Sequence, residues 1–305
     1  MMAMASEGDD SISGFFSAMS RFMADRYGLH PALRGIRVDD ELLNNVYKDT
    51  LGAVEGVYDS ETRFIVVGKE TMTWLRLLLD GGGALDKVFA APPTPEQVDA
   101  ARAYAALTLV ILFHETLHSA QHSRGGDTDH QWKWFYNGGL ALEEGITQLA
   151  TNRGLNDFLT SAGFADPRIR RRPQDFEVYD AYAAFADELL SWVATTLGTS
   201  PDAELSAALP GAQGTWPTEI AARLAQVANP TGPEHIVADQ RRQIASLIRK
   251  GAADLQRFGM ENLTSVDVDM LAAHGRSAAQ SLIATLNTTL TTPASRRPHV
   301  DRAIA

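Results

Sequence analysis

Phe15, Phe16, Met19, Phe22 and Met23 fall on one face of a helical wheel and predict an amphipathic helix over residues 11–28. A short helix follows from Asp39 or Asp40 through Leu42, Leu43, Val46 and Tyr47. Two β-rich runs, Val54–Tyr58 and Thr62–Val67, flank the turn-prone Asp59-Ser60 and predict a small hairpin or meander. Thr71–Leu79 returns to helical spacing and stops at Gly81-Gly82-Gly83. The strongest helix start is Thr94-Pro95-Glu96-Gln97: an N-cap threonine, proline at the first helical position and glutamine at the third. No breaker interrupts the chain from there to about His122. After a polar and aromatic segment marked by Gly125-Gly126, another helix is expected from about Leu140 to Asn152, closing at Gly154.

Beyond residue 165 the pattern is helical, over about 174–197, 217–228, 234–258 and 265–288, with Asn229-Pro230 and Gly232-Pro233 as punctuation. These elements predict an α+β protein with few strands and many helices. The expected organisation is an N-terminal part over 1–160, a helical C-terminal part over 161–290 and a flexible tail over 291–305. One continuous globule is the alternative.

Composition narrows the chemistry. Among 305 residues there is no cysteine, so thiolate metal sites, disulfides and a cysteine nucleophile are excluded. Any metal must be held by His, Asp or Glu. The formal charge of −11 disfavours a nucleic-acid partner. The apolar run Leu109–Phe113 is far short of the roughly 20 residues of a membrane span. The first residues carry Glu7, Asp9 and Asp10 in place of the positive start of a secretory signal, so the cytoplasm is the expected compartment and no membrane partner is expected.

The residues that carry chemistry lie late in the long helix: His114-Glu115-Thr116-Leu117-His118. Residues four apart on a helix differ by about 40° in direction and about 6 Å in height, so both imidazoles can reach one ion. Glu115 points off the ligand axis, where a carboxylate can take a proton from water and need not ligate. The preceding Ala105–Phe113 is apolar nearly all round, and imidazoles at the end of a buried helix are costly unless paired or metal-bound. His122 extends the row but sits about 12 Å along the axis from His114, too far to share an ion.

A third ligand is expected on the next helix, in Leu140-Ala141-Leu142-Glu143-Glu144-Gly145-Ile146-Thr147-Gln148. Here the sequence resembles the zincin metallopeptidases, specifically the gluzincin, thermolysin-like branch, in which a second helix donates a glutamate after the HExxH helix. The resemblance covers roughly residues 50–155 and implies a zincin-like core. Glu144, in Glu-Gly-Ile-Thr, matches the family's ligand position. Glu143 stands where the family often has asparagine, as an alternative ligand or a supporting residue, and Gln148 where an acidic partner of a ligand often sits. The resemblance also makes Thr62–Val67 the strand that pairs with an extended substrate.

On this reading one Zn²⁺ is held by His114, His118 and Glu144, with Glu115 as general base returning its proton to a leaving amine. The developing oxyanion needs a donor. Tyr179, Tyr182 and His235 are favoured by the family's use of a later helix, with His130 and Tyr136 as further candidates. The expected substrate is a peptide or a small amide. Alternatives are other metal-dependent tailoring of a small molecule, Fe²⁺ in a two-histidine, one-carboxylate site, and a non-catalytic helical interaction protein. Two further features suit either a pocket or ordinary surface: the aromatic run Gln131–Tyr136, and Arg168, Arg170, Arg171 and Arg172. Oligomeric state is left open.

Overall fold

The computed structural model describes residues 10–47, 56–122, 138–164, 166–170, 179–211, 215–262 and 268–291. His130 and Tyr136 with the aromatic run, Arg171, Arg172, the expected tail beyond residue 291 and the His122 side chain lie outside the described residues. The chain is α+β and mostly helical, with a small three-stranded sheet among the described residues.

The order is α1 (Asp10–Tyr27), β1 (Gly35–Val38), α2 (Asp40–Tyr47), β2 (Gly56–Asp59), β3 (Phe64–Val67), α3 (Lys69–Asp80), α4 (Pro95–His122) and α5 (Leu140–Ser161). Then come α6 (Asp180–Leu197), α7 (Pro201–Ala208), α8 (Trp216–Ala228), α9 (Glu234–Asn262) and α10 (Val268–Thr291). Two compact units result: Met1–Gly126 with Ile146–Tyr179, and Asp127–Gly145 with Asp180–Ala305.

In the first unit the expected hairpin is present, β2 running antiparallel to β3 with Tyr58 opposite Ile65. It is joined by β1, which the sequence pattern did not signal. β1 pairs parallel to β3 with Ile36 opposite Ile65, so the strand order is β1-β3-β2. Four residues, Gly-Ile-Arg-Val, are too short to announce a strand by alternation. This order also corrects a family-based expectation. β3, the Thr62–Val67 run, is the central strand with both edges paired, so it has no edge left for a substrate strand.

α4 begins as its sequence predicts. The Gln97 N–H donates to Thr94 Oγ1 (3.3 Å), and the Thr94 N–H donates to Gln97 Oε1 (2.8 Å), the reciprocal pair of a capping box. By length and composition Pro95–Gln121 is apolar enough to cross a membrane, but most of it is buried in the protein. Its apolar surface faces α1, α3, the sheet and the segments around residues 85–88 and 167–169, as expected of a central core helix. Phe22, Phe113 and Phe158 meet with ring centroids 5.7–6.0 Å apart, joining α1, α4 and α5 in one aromatic cluster.

α5 overruns its expected end at Gly154 by two turns. Glycine inside a helix costs about 1 kcal/mol relative to alanine. Here it leaves room for the Tyr27 hydroxyl, which lies where a Cβ would sit and donates to the Ala150 carbonyl (3.0 Å). The helix stops instead at Gly163, whose φ of +82° suits glycine, with the Phe164 N–H returning to the Leu159 carbonyl (2.8 Å).

The second unit is helical. Gly275 lets α10 cross the Ala181 backbone of α6, since a Cβ there would overlap it. α7 was missed by periodicity although it carries a start signal, Ser200 capping the Ala203 N–H (3.2 Å) before Pro201. Arg223 clamps the buried Glu204 carboxylate through two 2.7 Å bonds, tying α8 to α7.

Arg168 and Arg170, candidates for binding a substrate anion, are engaged in the fold. Arg168 bonds Asp166 and Asp86 (2.7 and 2.8 Å), and Arg170 bonds the Asn156 carbonyl and Thr160 Oγ1 (3.2 and 2.8 Å). Asp166 also accepts the Leu85 N–H (2.9 Å). The Arg168 guanidinium is the main cause that holds the Asp166 carboxyl at about 2, against 3.8 for an ordinary aspartate. The unfolded chain therefore binds this proton more readily. The group contributes about 2 kcal/mol above roughly pH 4, lost as pH falls through about 2. Urea denaturation of Asp166→Asn is expected to show about 2 kcal/mol less stability than wild type at pH 7. The gap should narrow between pH 4 and 2; a constant gap would contradict the assignment.

Candidate metal centre

Apolar residues surround the turn before His114: Leu109, Val110, Leu112 and Phe113 are fully buried. His114 and His118 continue into that interior at 5% and 6% exposure. Buried hydroxyls nearby are satisfied within their own helices, Thr116 on the Leu112 carbonyl and Ser119 on the Thr116 carbonyl (both 2.7 Å). The imidazoles instead reach side-chain amides.

The His114 Nδ1–H donates to Gln148 Oε1 (3.1 Å), and the His118 Nδ1–H donates to Gln121 Oε1 (3.2 Å). The amide orientations follow from their other ends. Gln148 Nε2 donates to Asn152 Oδ1 (2.8 Å) and Gln121 Nε2 donates to Thr147 Oγ1 (2.9 Å), which turns each carbonyl oxygen toward its histidine. With each Nδ1 on a glutamine oxygen, the two Nε2 atoms turn toward one another and lie 3.0 Å apart. That spacing suits either a proton shared between the rings or a metal ion held by both.

The Glu144 carboxylate completes the set. One ligand atom from each of His114, His118 and Glu144 lies within 4.8 Å of the others, the one such group of three among the described residues. The boundary between the two units falls after Gly145, but α5 runs unbroken through it. Glu144 is thus carried on the same helix as Thr147 and Gln148. Gly145 serves this placement, because a Cβ there would stand 2.5 Å from the Tyr182 carbonyl oxygen. Two imidazole nitrogens and a carboxylate oxygen form a donor set suited to zinc and other first-row divalent metals. Zn–N bonds of about 2.0–2.1 Å in a tetrahedral site put nitrogens about 3.3 Å apart, close to the spacing here.

Glu115 stands apart from this set. Its Oε2 accepts the Tyr58 N–H of β2 (2.7 Å), which fixes the carboxylate beside the sheet. Glu143 is half-buried and outside the three-residue group. Tyr179 stacks on the His114 ring, 5.7 Å between centroids and 10° between planes. Tyr182 is buried and its hydroxyl faces the Gln256 carbonyl (3.4 Å); burial first, and the Glu144 charge second, push its hydroxyl up to about 12. His235 is exposed in the first turn of α9. Of the described oxyanion candidates, Tyr179 is the one in ring contact with a histidine of the centre.

Sequence reasoning missed Gln121 and Thr147. Gln121 lies three residues beyond His118 on the same helix face, so its spacing was available as a signal. Its partner Thr147 lies on α5, and only the packing of two helices brings them together. Comparison of the chain with protein-family models, curated proteins and solved structures gave no match.

Zinc affinity, measured by competition with a chromophoric chelator, should separate these roles. Gln121→Ala and Gln148→Ala are each expected to weaken binding about 10–100-fold, and Glu144→Ala to weaken it further. Glu143→Ala should leave affinity within about threefold of wild type on the same scale. An equal loss at Glu143 and Glu144 would move the ligand to its neighbour.

Proposed function

We propose that the chain is a zinc-dependent metallohydrolase with a zincin-like, gluzincin-type centre that cleaves a peptide or other amide bond. The observation that carries the proposal is the convergence of the two imidazole Nε2 atoms, 3.0 Å apart, with the Glu144 carboxylate, while Glu115 is anchored separately. Zinc bound by His114, His118 and Glu144 supplies Lewis acidity that polarises a carbonyl and lowers the pKa of water.

The chain's own residues do the rest. Gln121 and Gln148 hold the two rings in the tautomer that keeps Nε2 available. Glu115, tethered at Oε2 by the Tyr58 N–H, is positioned to accept a proton from water and pass it to the departing nitrogen. Tyr179 restrains the His114 ring by stacking. Buried Tyr182, its hydroxyl held near 12, stays protonated at neutral pH and remains a hydrogen-bond donor. Glu115 favours hydrolysis over oxygen activation at an iron centre, because a carboxylate beside the ligands has a role in the first and none in the second.

Replacement of Glu115 by glutamine keeps an oxygen to accept the Tyr58 N–H but removes the base. Turnover of blocked amide and peptide substrates by the zinc-loaded variant should fall about 10²–10⁴-fold, with zinc affinity unchanged. Wild-type turnover by Glu115→Gln would rule out the mechanism.

A further inference from the structure

The centre adjoins one edge of the sheet. In the β2–β3 pair, backbone groups alternate between facing the partner strand and facing outward. The Asp59 carbonyl is taken on the inner side by the Arg63 N–H (2.7 Å), closing the turn into β3. Tyr58, one residue earlier, faces outward, and its N–H is the donor held by Glu115 Oε2 at 2.7 Å. β2 is the strand of the described sheet that borders Glu115, because β3 is paired on both sides and β1 lies across it.

An extended peptide can join a sheet edge only by bonding its outward N–H and C=O groups. On β2 those groups belong to Gly56 and Tyr58, two positions in a four-residue strand. The Tyr58 donor is committed to the carboxylate that the hydrolytic reading assigns as base. Strand addition at this position and an anchored Glu115 are therefore mutually exclusive. α4 packs on the face of the same strand, with the Ile111 side chain in the place of a Cβ at Gly56.

Building on the proposed hydrolase activity, we infer that the substrate is a compact amide, of the size of an N-acyl amino acid or dipeptide, that does not pair as a strand along β2. The sheet edge here positions the base. Lengthening the substrate's backbone therefore brings no gain at this edge.

Hydroxamates, which bind a catalytic zinc ion without being turned over, test this on the full zinc-loaded chain. A one-residue acyl hydroxamate, a four-residue peptidyl hydroxamate and its backbone N-methylated form are compared by calorimetry. Amide exchange at Tyr58 is followed in parallel. The three probes are expected to bind within about threefold of one another. Tyr58 should stay protected with each probe and exchange at least tenfold faster in Glu115→Ala. Tightening of 30-fold or more on extension, abolished by N-methylation, would overturn the inference while leaving the hydrolase reading intact. A Tyr58 amide that exchanges equally in wild type and Glu115→Ala would overturn it too. Failure of every probe to bind the zinc-loaded protein would remove the hydrolase reading, and this inference with it.

Discussion

The Nδ1 atoms of His114 and His118 each meet a glutamine oxygen, so the two Nε2 atoms are left facing one another at 3.0 Å inside an apolar helix packing. Two imidazole nitrogens this close suit a cation between them, a proton or a metal ion, and water has little access, since the two residues are only 5% and 6% exposed. Glu144 adds the negative charge that a divalent ion needs, and it reaches the pair from the neighbouring helix. The buried amides on α4 and α5 are hydrogen-bonded at both ends, to a histidine and to a side chain of α5.

The surrounding fold answers to the same constraint. α4 is apolar on nearly every side so that it can occupy the middle of its unit, and this carries the histidines out of water. The Gln121–Thr147 bond links α4 to α5 within hydrogen-bonding reach of His118. Gly145 admits the Tyr182 backbone one residue after Glu144, and Gly154 admits Tyr27 against the same helix. A small sheet has little to contribute to such a helical core as bulk. Beside the histidines it offers the Tyr58 N–H to Glu115, so a four-residue strand fixes the carboxylate that follows His114 in the chain.

Much of this was legible in the sequence where the signal is local. The capping box at Thr94, the breakerless run to His122 and the i, i+4 spacing of the histidines are properties of consecutive residues, and α4 forms accordingly. What escaped depends on partners distant along the chain. β1 became a strand only by pairing with β3, and Gly154, a stop signal on its own, sits inside α5 because Tyr27 fills the space it leaves. The Thr62–Val67 run looked suited to bind a substrate strand, yet its neighbours on both sides use its edges. Gln148 was singled out by resemblance as a departure from an acidic partner; it stands against His114 as an amide. Gln121 had the right spacing but no motif to mark it.

The account stands on a cation between His114 and His118. Elemental analysis of the purified chain, beside a His114→Ala/His118→Ala double variant, tests it most directly. About one zinc per chain, absent from the double variant, is the expected result for a single site of this donor set. Purified protein that holds no metal even after reconstitution with zinc, or that binds it equally without the two histidines, would contradict it.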